Sequence, residues 1–282
     1  MTRTVCGARS TGVARWAAVG LLVLAALGPP CTARAAEAAG SPTEEGWTVD
    51  VIPYLWALSM TGTAGVAGVE ADLDMSFGDI LNDLNIALMG AVEARNGRWG
   101  FTVNPLYSRL SDEPKATVLG QPASLDVTLD LFVLQFGLNY RLGPFPLGRC
   151  GGGPELSILP QIGGRYTYLD TDVELDFLSS RGGSLTKDWV DPLVGLRGVL
   201  DLTPAWSLTV AGDVGGFDVG TQLAWSATGY VGYRWDLTDS VTGSVLLGYR
   251  ALYQDYETGD GLEEFVFDTT MHGPVIGFDF GF

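Results

Sequence analysis

The sequence predicts an all-β fold: an antiparallel up-and-down transmembrane β-barrel of about ten strands, within a range of roughly eight to twelve. Three observations predict it. Large apolar side chains alternate with small or polar ones at a period of two along most of the chain. Short connections alternate with long ones. Aromatic residues gather at one end of the expected strands.

The 282 residues open on a pattern typical of secretion. Arg3, Arg9 and Arg15 form a basic start, Trp16 to Leu27 a short apolar run, and Ala33-Arg34-Ala35 a small-residue cleavage site. Residues 1–35 are therefore expected to be a signal peptide, 36–46 a short leader and 47–282 the barrel. Cys31 invites a lipoprotein reading, but Pro29-Pro30 before it is unlike a lipidation signal. Removing Arg3, Arg9, Arg15 and Arg34 leaves 12 of 16 basic residues against 33 acidic ones, a formal charge of −21. A chain this acidic excludes nucleic acid as a partner. Cys150 would be the sole remaining cysteine, which excludes an intrachain disulfide and a cysteine metal site. No later segment carries an apolar run long enough for a transmembrane helix, so any crossing must use strands closed into a barrel.

Ten strands are expected, at roughly 47–60, 85–95, 98–110, 124–141, 156–169, 188–202, 205–217, 222–236, 240–254 and 266–282. The second and third flank Asn96-Gly97, a strong two-residue hairpin signal. In 124–141 the alternation changes phase: Asp126, Thr128 and Asp130 oppose Gln135, Asn139 and Arg141, and a bulge near Leu131 to Val133 would account for it. In 205–217, Trp206, Leu208, Val210 and Val214 oppose Ser207, Thr209 and Asp213. Strand 222–236 sets Leu223, Trp225, Val231, Tyr233 and Trp235 against Gln222, Ser226, Thr228 and Arg234. Strand 240–254 splits in the same way. The last strand puts Pro274, Ile276, Phe278, Phe280 and Phe282 on one face, with glycines, Val275 and Asp279 on the other.

The tight connections are Asn96-Gly97, Thr203-Pro204 and Thr238-Asp239, with a longer Gly- and Pro-rich one at 143–154. The other set is long and acidic, at 61–84, 111–123, 170–187 and 255–265, apart from a short turn near Asp218. Within the first of these, Phe77 to Leu84 is expected to form a short helix resting on the barrel mouth or entering it. Trp47, Trp99, Tyr140, Trp206, Trp235 and Phe282 all fall near the tight-turn end on the apolar parity, as an interfacial aromatic girdle requires.

Several stretches resemble a widespread family of Gram-negative outer-membrane β-barrel proteins, mostly of undefined activity. They are Gly46 to Trp56, Asp74 to Leu81, Glu93 to Gly100, Gly248-Tyr-Arg250 and His272-Gly-Pro274. The resemblance spans nearly all of the barrel and implies location and fold. It carries over no catalytic residue. It implies the cell outer membrane, and as partners outer-membrane lipids and lipopolysaccharide, with periplasmic chaperones and the barrel-assembly machinery during export. Oligomeric state is left open.

Chemistry is sparse. The single histidine, His272, shares a parity with Pro274 and the terminal phenylalanines and so faces lipid. Asp268 and Thr270 on that parity are its conceivable partners in a lipid hydrolase. The polar face is richer: Asp50, Glu93, Gln135, Asn139, Gln161, Arg165, Arg197, Asp213, Arg234, Arg250 and Asp279 are expected to face the lumen. They form either a paired network filling a narrow barrel or the lining of a narrow passage, and ten strands stand near the filled end. The acidic runs Glu70/Asp72/Asp74 and Asp170/Asp172/Glu174/Asp176, and the cluster Asp255, Glu257, Asp260, Glu263 and Glu264, read as solvated rims. They match no calcium-binding motif. No cofactor, metal or catalytic residue is expected. The expected role is structural or surface-interactive without catalysis, the alternative a narrow pore for small solutes or ions, and the third an outer-membrane lipid hydrolase.

Overall fold

The computed structural model describes residues 46–282 apart from 67–68, 113–114, 119–120, 149–152, 178 and 262–263. The expected signal peptide, the leader before Gly46, Cys150 and Glu263 lie outside the described residues. Fourteen strands and one helix follow: β1 Trp47–Trp56, β2 Ser59–Val66, β3 Val69–Met75, α1 Phe77–Asp83, β4 Leu84–Asn96, β5 Trp99–Asp112, β6 Lys115–Val118 and β7 Gln121–Tyr140. Then come β8 Leu142–Pro146, β9 Glu155–Phe177, β10 Ser179–Asp201, β11 Trp206–Gly216, β12 Leu223–Thr238, β13 Val241–Thr258 and β14 Phe265–Gly281.

Ten of these strands form a closed antiparallel barrel in the order β1-β4-β5-β7-β9-β10-β11-β12-β13-β14, and β14 pairs back onto β1. Closure leaves the transmembrane wall without an unpaired edge. β1 runs into β2 through a break at Ala57-Leu58, and β14 follows both, pairing 275–281 with β1 and 265–272 with β2. The break demands a glycine opposite: a Cβ on Gly273 would strike the Ala57 carbonyl. At the other end Gly97 takes φ +57°, the left-handed conformation that the β4–β5 turn needs.

The long connections are mostly strand. Residues 61–84, expected as an acidic loop, hold the rest of β2, then β3 and α1. The 170–187 connection is the continuation of β9 and β10, whose ladder runs without interruption to Phe177 and Ser179. The 111–123 stretch contributes the end of β5, β6 and the start of β7. Pairing supplies the backbone partners that a long irregular loop would have to take from water. Sequence reading assigned these stretches to loops because their apolar alternation fades.

It fades for a physical reason that a bulge does not supply. β7 pairs β5 and β9 in unbroken register across Leu131 to Val133, so the expected bulge is absent. The change of phase is instead a change of solvent. In the span nearer the tight turns, the exposed side chains are apolar: Leu88, Phe101, Leu138, Ile162, Leu196, Val210 and Leu247. Nearer the long hairpins the same outer face carries Tyr107, Arg109, Asp130, Thr186, Asp188 and Asp268, and the inner face carries Leu110, Leu131, Leu169, Trp189, Phe265 and Phe267. The barrel is apolar-out where it crosses the membrane and apolar-in where it projects beyond it. Among the described residues no helix is long and apolar enough to span a membrane.

α1 packs beside β2, β3 and β5 at the base of the projecting half. Ser76 caps it, its hydroxyl accepting from Asp79 N while Asp79 Oδ2 accepts from Ser76 N at 3.0 Å. The helix buries Ile80 against the apolar interior.

Two outcomes follow. Leu196→Lys places a cation on the lipid face of β10 and is expected to cost about 2–4 kcal/mol. Asp188→Lys, on the same face of the same strand beyond the membrane, is expected to stay within about 0.5 kcal/mol; urea titration of both variants in lipid vesicles separates them. Hydrogen bonds from Ser76 hold the Asp79 carboxyl below its ordinary value of 3.8. The cap's contribution is therefore complete above that value and is lost as pH falls through the lower folded-state value. Amide exchange of α1 followed from neutral pH into acid should show protection falling only below the usual aspartate range.

Candidate functional site

The interior divides into layers along the barrel axis. At the tight-turn end lies a vestibule of about 1270 Å³ bordered by Asp50, Arg95, Arg141, Arg234 and Asp279. Above it stands the first ion cluster. Glu93 on β4 accepts from Arg95 two residues along the same inward face, and from Arg197 Nη1 on β10 at 2.7 Å. Arg95 Nη2 also reaches Asn139 Oδ1 at 3.2 Å. A buried carboxylate held between two guanidiniums resolves the charge problem of a narrow lumen, because each charge removed from water retains a partner.

A cavity of about 170 Å³ lies at mid-height. Its polar wall includes Asn104, Gln135, Gln161, Asp213, Ser226 and Arg250; Ile52, Leu193, Leu246 and Val275 supply an apolar flank. The second ion cluster adjoins it. Fully buried Arg165 donates from Nη2 to Asp213 Oδ1 at 2.6 Å and to Gln135 Oε1 at 3.3 Å. Gln135 Nε2 and the Ser226 hydroxyl complete the shell of Asp213. Across the cavity Arg250 Nη1 donates to Tyr54 Oη at 3.0 Å, the Tyr54 hydroxyl donates to Asn104 Oδ1 at 2.7 Å, and the Arg250 guanidinium lies 4.9 Å from the Trp56 ring centre.

Above this layer the lumen turns apolar. Trp56, Met60, Leu131, Trp189, Leu252 and Met271 belong to one buried cluster, which also includes Ile80 of α1. Trp189 stacks on Tyr256 at 4.2 Å between ring centres and tilts against Phe267 at 5.9 Å. Polar residues within this zone are only partly satisfied: Trp56 Nε1, Trp189 Nε1, Asp191 Oδ2, Gln254 Oε1 and Thr269 Oγ1 are buried without a hydrogen-bond partner. Gln254 Nε2 donates to Thr167, and Thr221, turned inward by the β11–β12 turn, donates its N–H and hydroxyl to Asp191 Oδ1 at 2.6 and 2.9 Å.

The structure thus places all eleven expected lumen residues on the inner face, but in separate groups. Asp50, Glu93, Asn139, Arg197, Arg234 and Asp279 belong to the vestibule and first cluster; Gln135, Gln161, Arg165, Asp213 and Arg250 surround the cavity. The far half of the interior, which holds none of the eleven, is an apolar core. Sequence reading passed over Arg95, which lies next to a tight turn and has the parity of Glu93; that shared parity could have found it. It also passed over Tyr54, Trp56, Asp191 and Thr221. Trp56 reads as one more alternating aromatic until its parity with Asp50 is counted.

On the outside, Trp47, Trp99, Trp206 and Phe282 are exposed at the tight-turn end. Tyr140 packs edge-on against Trp99 at 4.9 Å, and Tyr233 stacks on Trp235 at 6.3 Å. His272 also faces outward. Its Nδ1 lies 2.7 Å from the Tyr249 hydroxyl and the two rings stack. Among the described residues no ion pair joins His272 to Asp268. Among the described residues no three Asp, Glu, His or Cys side chains converge as a metal site. The side chains of Glu70, Glu174 and Asp176 lie outside the described residues.

Fold and interior together define a transmembrane antiparallel β-barrel with two internal ion clusters and an apolar closure at one end. No protein-family profile matches the chain, and no curated protein is detectably similar to it in sequence. Among solved structures it is similar to Ail, the attachment invasion locus protein of Yersinia pestis, at 11% identity and a TM-score of 0.35, over 84% of this chain and 99% of that one. It is likewise similar to a Pseudomonas aeruginosa FadL homologue, at 11% identity and a TM-score of 0.25 over 84% and 89% of the two chains. The toluene transporter TodX of P. putida gives 10% and 0.26 over 84% and 90%. Barrel resembles barrel at these values, and nothing about activity follows from them.

Breaking one half of the second ion cluster should expose its cost. Asp213→Ala leaves Arg165 buried without its carboxylate and is expected to destabilise by about 3–5 kcal/mol, whereas the double variant Arg165→Met/Asp213→Leu should lose clearly less. Denaturant titration in detergent micelles distinguishes the two.

Proposed function

We propose that the protein is an integral outer-membrane β-barrel of a Gram-negative cell, non-conducting and non-catalytic, whose role is structural or exerted at the surface through its projecting hairpins. The observation that carries this reading is the apolar core in the far half of the lumen. Trp56, Trp189, Leu252, Phe265, Phe267 and Met271 pack against one another where a channel would need water. An aqueous path is incompatible with a core of that density. This favours the sealed barrel over the narrow pore.

Location rests on the barrel's asymmetry. Short turns at one end, long hairpins at the other and an outward apolar band between them are the outer-membrane arrangement, with the long hairpins extracellular. The hairpins expose a polar, largely acidic outer face, suited to contacts with the surroundings of the cell and, through bridging cations, with lipopolysaccharide. The hydrolase reading is weakened by His272, whose ring nitrogen is engaged by Tyr249 and which faces the lipid boundary without a carboxylate beside it.

Planar-bilayer recordings of the refolded protein test this. The expected record is a flat baseline over many insertions, each confirmed by the faster gel migration of the unboiled barrel. Discrete conductance steps from that material would overturn the sealed-lumen reading.

A further inference from the structure

We infer that the cavity at mid-height of the barrel is a binding site for a small organic carboxylate. Asp213 and Arg250 are the ionised groups that line the cavity, and Asp213 is committed to Arg165 behind it at 2.6 Å. Arg250 is 7% exposed, yet among the described residues no carboxylate lies within 4.0 Å of it. Its neighbours are the Tyr54 hydroxyl and the Trp56 ring. A hydroxyl and a π-face stabilise a guanidinium without neutralising it. The wall of the cavity therefore carries one uncompensated positive charge in a medium where such a charge is costly.

The surroundings define the complement. A guanidinium fork takes a planar carboxylate through two parallel N–H bonds, which a spherical anion cannot match. Beside the cation the wall is apolar, formed by Ile52, Leu193, Leu246 and Val275, so the rest of the ligand is a short hydrocarbon group. Asn104, Gln135 and Gln161 add neutral hydrogen-bonding groups around it. The apolar core shuts the cavity from the long-hairpin end. The remaining approach is from the vestibule, whose border is charge-balanced, with Arg95, Arg98, Arg141 and Arg234 against Asp50, Asp236, Asp239 and Asp279. Small-solute binding from that side is compatible with a lumen that conducts nothing, so the conductance experiment neither supports nor removes it.

The test uses the full-length protein in detergent micelles at pH 7, with sodium butyrate as the probe and butyramide as its uncharged match. Butyrate should raise the unfolding temperature saturably and butyramide should not. Arg250→Met should abolish the shift, and without butyrate it should unfold at the wild-type temperature or above, as expected when a buried charge lacking its partner is replaced by an apolar side chain. Arg250→Lys keeps the charge but loses the fork, and should weaken butyrate at least tenfold. Leu246→Trp, which fills the apolar flank without touching a charge, should also remove the response. The proposal is overturned if butyrate gives no saturable shift, if butyramide matches it, or if Arg250→Lys or Leu246→Trp responds like the wild type. Should Arg250→Met fail to fold, the lysine and tryptophan variants decide.

Discussion

Everything in this barrel depends on one boundary, the plane where the wall leaves hydrocarbon for water. A sheet closed on itself has two faces, and only its surroundings determine which must be apolar. Within the membrane, Leu196, Val210 and Ile276 face lipid while Glu93, Arg197 and Asp213 are enclosed. Beyond it, the same strands continue with Asp188 and Asp268 outside and Trp189 and Phe267 inside. The transmembrane half follows the rules of a membrane barrel and the projecting half those of a soluble one. His272 and Tyr249 stand near the junction, with polar outer-face residues on one side along β14 and Pro274, Ile276 and Phe278 on the other.

The inversion sets the internal chemistry. In the membrane half the lumen must hold the polar residues that lipid rejects, and ten strands leave too little room for free water around each. Beyond the vestibule, Arg250 aside, the charged lumen side chains of this half are paired in two clusters, each centred on a carboxylate: Glu93 between Arg95 and Arg197, and Asp213 among Arg165, Gln135 and Ser226. In the projecting half, with water outside, the lumen becomes the best place for large apolar side chains, and the core they form closes the barrel. Sealing is thus a consequence of length: strands of up to 23 residues reach well past the membrane and must bury something.

Much of this was legible in the sequence. Period-two alternation, hairpin turns and the aromatic girdle identify a barrel of about ten strands, since each is a local pattern imposed by a local requirement. Parity assigned all eleven lumen residues to the inner face for the same reason. The acidic stretches were misread as loops, and the phase change in 124–141 as a bulge, because the reading held the outer solvent constant along each strand. Once the solvent is allowed to change, Leu131 and Val133 inside with Asp130 and Thr128 outside continue the alternation without any irregularity.

What the sequence by itself determined is therefore the wall: which residues form strands, which face each side chain takes, and where the turns fall, all properties of neighbours along the chain. What only the tertiary structure decided is who meets across the lumen. Glu93 and Arg197 are 104 residues apart, Arg250 and Tyr54 196 apart, and closure of β14 onto β1 brings the latter pair together. No local pattern distinguishes an arginine that will have a carboxylate opposite from one that will not. That distinction, which leaves Arg250 beside an open cavity, is made by the register of ten strands at once.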